Sequence, residues 1–146
     1  MAGGESSVRT SPNPVGVMPL KLSLAKGEKF VVNGAVIKND GADINLVFEN
    51  KAHILRQKDI MTADTASTPA RRVYLALQCA YMFQDRETDH LGDFASLLEE
   101  FQDAAPSTGD VAGLIRKHVD EHDLYGALKE CHRLIDLEAE IMNHVQ

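Results

Sequence analysis

The chain lacks any apolar run approaching the roughly 20 residues needed to cross a bilayer, and its first residues lack the charged-then-apolar build of a signal peptide. No membrane association is expected, and the cytoplasm is the expected compartment. Cysteine is almost missing too. Cys79 and Cys131 are the only two and form no CxxC pair, so neither a disulfide framework nor a thiolate zinc site is indicated. Both fall within helical apolar patterns, without the flanking signature of a catalytic turn, and read as small core residues rather than nucleophiles. Phosphate-cradling strings of the G-x-G-x-x-G or G-x-x-x-x-G-K type are also missing, because Gly27, Gly34 and Gly41 fit turns. An enzyme is not expected, nor is a cofactor.

What remains is ordinary globular composition with an uneven charge. The 146 residues are 44% hydrophobic and 25% charged, enough apolar mass for one domain or two small modules. Lys and Arg number 15 against 22 Asp and Glu, for a formal charge of -7. Residues 1–60 hold eight basic and six acidic side chains, whereas the remainder holds seven basic and sixteen acidic ones. A weakly basic first part can meet an anionic ligand; the acidic second part repels phosphate and suits a protein partner or plain solvation.

The hydrophobic period changes along the chain. Residues 1–17 are rich in Gly, Ser and Pro and read as a mobile leader. Leu20, Leu22 and Leu24 then alternate with Lys21 and Ser23, the two-residue period of a half-buried strand. Lys29 to Val32 runs into Asn33-Gly34, the dipeptide suited to a type I′ hairpin turn, and Ala35 to Lys38 returns. After Asp40-Gly41 a fourth strand places Ile44, Leu46 and Phe48 on one face, and Lys51 to Arg56 reads as a fifth. Such a sheet is too small to be stable alone, so dimerisation or packing against the C-terminal part is expected.

Beyond Met61 the spacing turns to three and four. Thr68-Pro69 predicts an N-cap with proline in the first turn of a helix through Val73, Leu77, Ala80 and Tyr81. A second helix carries Leu91, Phe94, Leu98 and Phe101, and a third Val111, Leu114, Ile115, His118 and Val119. A fourth follows Asp123, with Leu124, Leu128, Cys131 and Ile135 on one face and Leu134, Leu137, Ile141 and Val145 widening it. The expected fold is α+β, with a leader at 1–17, a small antiparallel β module at 18–61 and a helical module of about four helices at 66–146.

Two patterns carry chemistry. His118-Val119-Asp120-Glu121-His122 matches the H-x-x-E-H spacing of a zinc-protease class, in which two histidines on one helical face would hold the metal. A third ligand would have to come from elsewhere in the chain, and His118 already belongs to an apolar stripe, so no metal is expected. The other pattern is the basic edge of the β module: Lys51, His53 and Leu55 alternate against Ala52, Ile54 and Arg56, followed by Lys58. Short sheets exposing cations and hydrogen-bonding edges bind single-stranded RNA. Lysines on small strands also simply keep an edge soluble, and stacking aromatics are scarce here, since Phe30 and Phe48 fall on expected core faces.

The blocks MPLKLSLAKGEKFVVNGAVIKN from Met18, ENKAHILRQKDIM ending at Met61, and STPARRVYLALQ after it resemble the FlbT family of flagellin-synthesis regulators of flagellated alphaproteobacteria, over about residues 18–142. The resemblance implies a post-transcriptional regulator that associates with the 5′ untranslated leader of flagellin mRNA and promotes its degradation, with FlaF as functional counterpart. LKLSLAKGE, the hairpin and HILRQKDI also look like the CsrA family of RNA-binding regulators in strand order. That likeness matches Arg56 to an RNA-contacting arginine, places His53 and Leu55 in the same strand, and implies a strand-exchanged homodimer. It departs at Leu24, Ala25 and Lys26, where that family commonly has basic residues before the glycine. Arg56, His53, Leu55, Lys58, Lys51 and Lys21 are therefore the expected RNA-binding residues. The alternative is an adaptor whose acidic helices bind a flagellar protein, flagellin or FlaF.

Overall fold

The computed structural model describes residues 20–145; the leader expected at 1–17 lies outside them. The chain divides into two compact units between Lys58 and Asp59, strands in the first and helices in the second, an α+β architecture.

Among the described residues the first unit has five short strands: β1 Leu20–Leu24, β2 Lys29–Val32, β3 Ala35–Lys38, β4 Ile44–Phe48 and β5 Ile54–Arg56. They form two small antiparallel sheets, a β1–β4 ribbon and a three-stranded sheet in the order β3-β2-β5. The fifth strand begins at Ile54 rather than Lys51, because only Ile54 to Arg56 find ladder partners, opposite Val32 to Phe30. The local turns follow from backbone chemistry. Asn33 and Gly34 both have positive φ, 49° and 88°, the pair a type I′ hairpin requires. Gly27 has φ 83° in the turn closed by Glu28 N–H on the Ala25 carbonyl at 3.0 Å. Leu22, Leu24, Phe30 and Ile54 make the core of this unit, with Leu46 and Phe48 packed against it. Leu20 and Ile44, expected on that same face, are exposed: they belong to the two terminal pairs of the ribbon, opposite Phe48 and Leu24.

The second unit has four helices: α1 Pro69–Met82, α2 Glu87–Ala104, α3 Gly109–Asp120 and α4 Leu124–Val145. Thr68 caps α1, its hydroxyl oxygen accepting from Arg71 N–H at 3.2 Å, with proline in the first turn. α1 packs against α2 and α4, and α3 lies along α4. Val73, Leu77, Ala80, Leu98, Ala112, Ile115, Ala127, Cys131 and Leu134 are buried together in this unit. The apolar stripe read for α3 is narrower than expected, since Leu114 is exposed while Ala112 is buried in its place. A strap from Asp59 to Met61 is tied to α1. Buried Gln78 accepts from Met61 N–H at 2.7 Å and donates to the Met61 carbonyl at 2.9 Å, and Tyr74 donates its hydroxyl to the Asp59 carbonyl at 2.6 Å. Among the described residues no helix is long and apolar enough to cross a membrane.

Candidate nucleic-acid interface

The site grows out of the β2–β3 hairpin. A two-residue turn at Asn33-Gly34 sets Val32 opposite Ala35, and the ladder therefore sets Lys29 opposite Lys38. Directly opposed like charges destabilise a strand pair by a few tenths of a kcal/mol. Both lysines are exposed. Lys29 N–H donates to the side-chain oxygen of Gln57 at 2.8 Å, which fixes the residue between Arg56 and Lys58 at that end of the sheet. Sequence inspection missed the lysine pair, although the hairpin arithmetic could have found it, because residues equidistant from a two-residue turn must face one another.

Arg56 lies opposite Phe30 and so leaves β5 on the side of Ile54 and the core, at its margin. Its Nη2 donates to the Ser23 carbonyl at 3.1 Å and stands 3.8 Å from Glu28 Oε2. Glu28 is itself held, since its Oε1 accepts from Ala25 N–H at 3.0 Å. The guanidinium is moored to β1, with the side chain 42% exposed, and its other donors have no partner among the described residues. Mooring of this kind orients a guanidinium fork while leaving donors for an incoming oxygen.

Around Arg56 the expected residues separate. Lys21 is exposed on β1, two residues before Ser23 and on its face, and Lys51 and Lys58 are exposed. His53 is half-buried and fastened through its backbone, its N–H donating to Asn33 Oδ1 at 2.9 Å and its carbonyl accepting from Asn33 N–H at 2.8 Å. Leu55 is 2% exposed, so its side chain supports the strand and cannot reach a base. Phe30 is buried and meets Phe48 edge-on, ring centres 6.1 Å apart, which removes both from base stacking. Residues 20–58 carry seven basic side chains and four acidic ones. Lys29 and Lys38 alternate with Phe30 and so lie on the face of the sheet opposite Arg56; the unit therefore presents cations on two faces and one oriented guanidinium, and its two phenylalanines offer no stacking platform.

The loop beside β1 is shaped by Asn39, a buried polar residue whose partners are all accounted for. Its Nδ2 donates to the carbonyls of Leu24, Ala25 and Ala42 at 3.0 to 3.2 Å, and its Oδ1 accepts from Gly41 N–H. A fully satisfied buried amide rigidifies the turn that holds Glu28.

The histidine string has a local explanation. α3 ends at Asp120, so His118 lies in its last turn and His122 lies past its end, at φ 61°. Asp123 N–H returns to the His118 carbonyl at 2.8 Å and His122 N–H to the Val119 carbonyl at 3.0 Å, a Schellman closure with histidine where glycine is usual. The two rings are thereby not on one helical face, as the spacing implied. His118 Nδ1 is instead 2.9 Å from Asp123 Oδ2, and Asp123 Oδ1 accepts from Gly126 N–H at the start of α4. Among the described residues no three His, Cys, Asp or Glu side chains gather as metal ligands. Burial raises the Cys79 thiol, and burial with the neighbouring Glu130 charge pushes Cys131 up to about 12, which leaves both as thiols and poor nucleophiles at neutral pH.

Comparison with known proteins agrees on one family. The model of the flagellar protein FlbT matches residues 20–142. A probable flagellum biosynthesis repressor protein FlbT from a Caulobacter species is 42% identical over 130 residues, 88% of this chain and 99% of that protein. The flagellum biosynthesis repressor protein FlbT of Caulobacter vibrioides is 42% identical over 88% of this chain and 92% of its own. A probable repressor of the same name from Bradyrhizobium diazoefficiens is 36% identical over 85% of each chain. No solved structure matches, and the likeness of the sheet unit to the CsrA family is not confirmed by these comparisons. A match spanning both units, with relatives named as repressors of flagellum biosynthesis, is decisive: the chain belongs to the FlbT family of flagellar proteins.

Proposed function

We propose that this chain is a cytoplasmic, non-catalytic repressor of flagellum biogenesis, one that associates with the 5′ untranslated region of flagellin mRNA through its sheet unit and promotes degradation of that message. The observation that carries the reading is Arg56, moored by the Ser23 carbonyl with donors to spare, in a unit that also opposes Lys29 to Lys38. A folded surface that keeps like charges face to face is stabilised when phosphates arrive between them. Lys21, Lys51 and Lys58 extend the cationic surface, His53 adds a half-buried ring, and Leu55 supports the strand from within. The lack of a stacking aromatic makes phosphate contacts the main source of affinity and Arg56 the main source of base discrimination.

The same reading includes a homodimer. Its support is the β1–β4 ribbon, in which neither strand has a second ladder partner among the described residues and Leu20, Ile44 and Val47 are exposed. An isolated two-stranded ribbon is marginal, and pairing with a second copy would complete it.

The test is titration of the full chain into fluorescent flagellin leader RNA at several salt concentrations. Binding should weaken steeply as salt rises, and message half-life should lengthen in cells carrying a binding-deficient variant. If Tyr125→Ala on α4 abolished regulation while Arg56→Ala left RNA binding and regulation intact, the function would pass to a protein partner such as flagellin or FlaF.

A further inference from the structure

The helical unit carries a groove that the RNA reading leaves unused. It lies between Pro69 at the start of α1, Leu97 to Ala104 on α2, and Ile141 and Met142 near the end of α4, with a volume of about 330 Å³. Its walls are mostly apolar side chains, and Met142 is exposed at its rim. That volume is at the lower end of the range of ligand pockets, roughly 300 to 1,000 Å³, and suits one or two bulky side chains better than a whole cofactor.

One wall is a carboxylate. Glu138 lines the groove with only 8% exposure. Its Oε2 accepts from Ala70 N–H at 2.9 Å, an amide in the first turn of α1. Its Oε1 has no hydrogen-bond or ion-pair partner among the described residues. A carboxylate oxygen without a protein donor on the wall of an apolar groove favours a donor delivered by a ligand. Glu100 adds a second carboxylate to the lining; Arg72 also lines the groove, yet no ion pair joins it to either acid. Residues 59–146 as a whole carry seventeen acidic and seven basic side chains, a field that repels phosphate and attracts cations.

We propose that this groove docks a protein segment that inserts one or two bulky apolar side chains and sets a neighbouring Lys or Arg on Glu138 Oε1. Apolar walls alone would accept any hydrophobic peptide. The unsatisfied carboxylate oxygen, within a strongly acidic unit, selects a basic amphipathic one and excludes both an acidic peptide and RNA.

The probes are a short amphipathic peptide of leucine and lysine and its leucine and glutamate counterpart, each titrated into the full chain by calorimetry and by NMR of the Leu, Ile and Met methyl groups. Glu138→Gln keeps an oxygen for Ala70 N–H and removes the charge. Ala104→Phe fills the groove from the exposed end of α2 and keeps the test decisive should Glu138→Gln fail to fold. The basic peptide should bind, shifting the methyls of Leu97, Ile141 and Met142, and should lose about tenfold or more in affinity in each variant, a change of about 1.4 kcal/mol. The acidic peptide should not bind. Absence of binding, equal binding of both peptides, shifts centred elsewhere, or undiminished binding to Ala104→Phe would each overturn the proposal. RNA affinity is read separately on the same Ala104→Phe protein, so failure here is distinguishable from failure of the RNA reading.

Discussion

Arg56→Ala separates the structural role of the guanidinium from its recognition role. In the folded chain the substitution removes one charged donor from the Ser23 carbonyl at 3.1 Å and an ion pair with Glu28 at 3.8 Å. A hydrogen bond to a charged group contributes about 1.5 to 3 kcal/mol when well buried. This side chain is 42% exposed, so solvent screening takes the expectation down to about 1 kcal/mol, and the ion pair at that distance adds little. The loss of RNA binding should be larger, about 1 to 3 kcal/mol, because a bidentate contact to a phosphate or a guanine edge disappears. Arg56→Lys should restore part of the salt-dependent affinity and none of the base discrimination, since an ammonium lacks the planar fork. Fluorescence anisotropy with flagellin leader RNA and with a base-substituted leader gives the two affinities, and urea unfolding gives the stability. Arg116→Ala serves as the control for charge, because its guanidinium is engaged with Gln102 in the acidic helical unit. Undiminished RNA affinity in folded Arg56→Ala, or an equal loss in Arg116→Ala, would refute the assignment of the interface.

Three further outcomes follow from the same geometry. Lys29→Gln with Lys38→Gln should raise stability by a few tenths of a kcal/mol in urea unfolding by relieving an opposed like-charge pair, while lowering the slope of log affinity against log salt by about 1.4 for single-stranded RNA; a destabilised protein with an unchanged slope would contradict it. Leu20→Asp with Ile44→Asp should convert a sedimenting dimer to a folded monomer, and a parent that already sediments as a monomer at micromolar concentration would end the dimer reading. Stability should fall with rising pH from about pH 9 upward: the Cys131 thiol, pushed up to about 12 by burial, and the Tyr74 hydroxyl, raised by burial and by Asp59, bind their protons more tightly in the folded state, so each contributes stability that is complete below its unfolded pKa and is lost at up to about 1.4 kcal/mol per pH unit above it. Flat stability to pH 11 would show that these groups are not buried as described.

The parts of the fold that sequence reveals are those whose causes lie within a few residues. Asn33-Gly34 demands its turn through positive φ, Thr68-Pro69 starts its helix through one hydroxyl and one missing N–H, and of the stripe read as Leu124, Leu128, Cys131 and Ile135 the first three are buried by helical period, with Leu134 rather than Ile135 completing it. Pairing of β1 with β4, and of β2 with β5, spans long separations and has no local signature. Alternation assigns side chains to two faces but not which face is covered. That is why Leu55 was grouped with contact residues and is buried; Leu20 and Ile44 do lie on the covered face but at the two ends of the ribbon, and alternation does not say how far along a strand the cover extends.

The candidate site divides along the same line. Arg56 could be singled out as a guanidinium on a terminal strand, but its orientation depends on the Ser23 carbonyl, 33 residues away in sequence, and on a Glu28 fixed by its own turn. Such contacts arise only when β5 pairs with β2 and brings Arg56 beside Ser23 and Glu28. The Lys29–Lys38 opposition was within reach of arithmetic, because a tight turn converts sequence distance into register. Glu138 was within reach as well: it stands four residues after Leu134, on the apolar stripe of α4, where a carboxylate breaks the pattern. A polar residue on an apolar stripe is costly to bury, and the structure answers only half of that cost, with Ala70 N–H on one oxygen. The other oxygen has no partner among the described residues, and it is the acceptor that the proposed docking segment would fill.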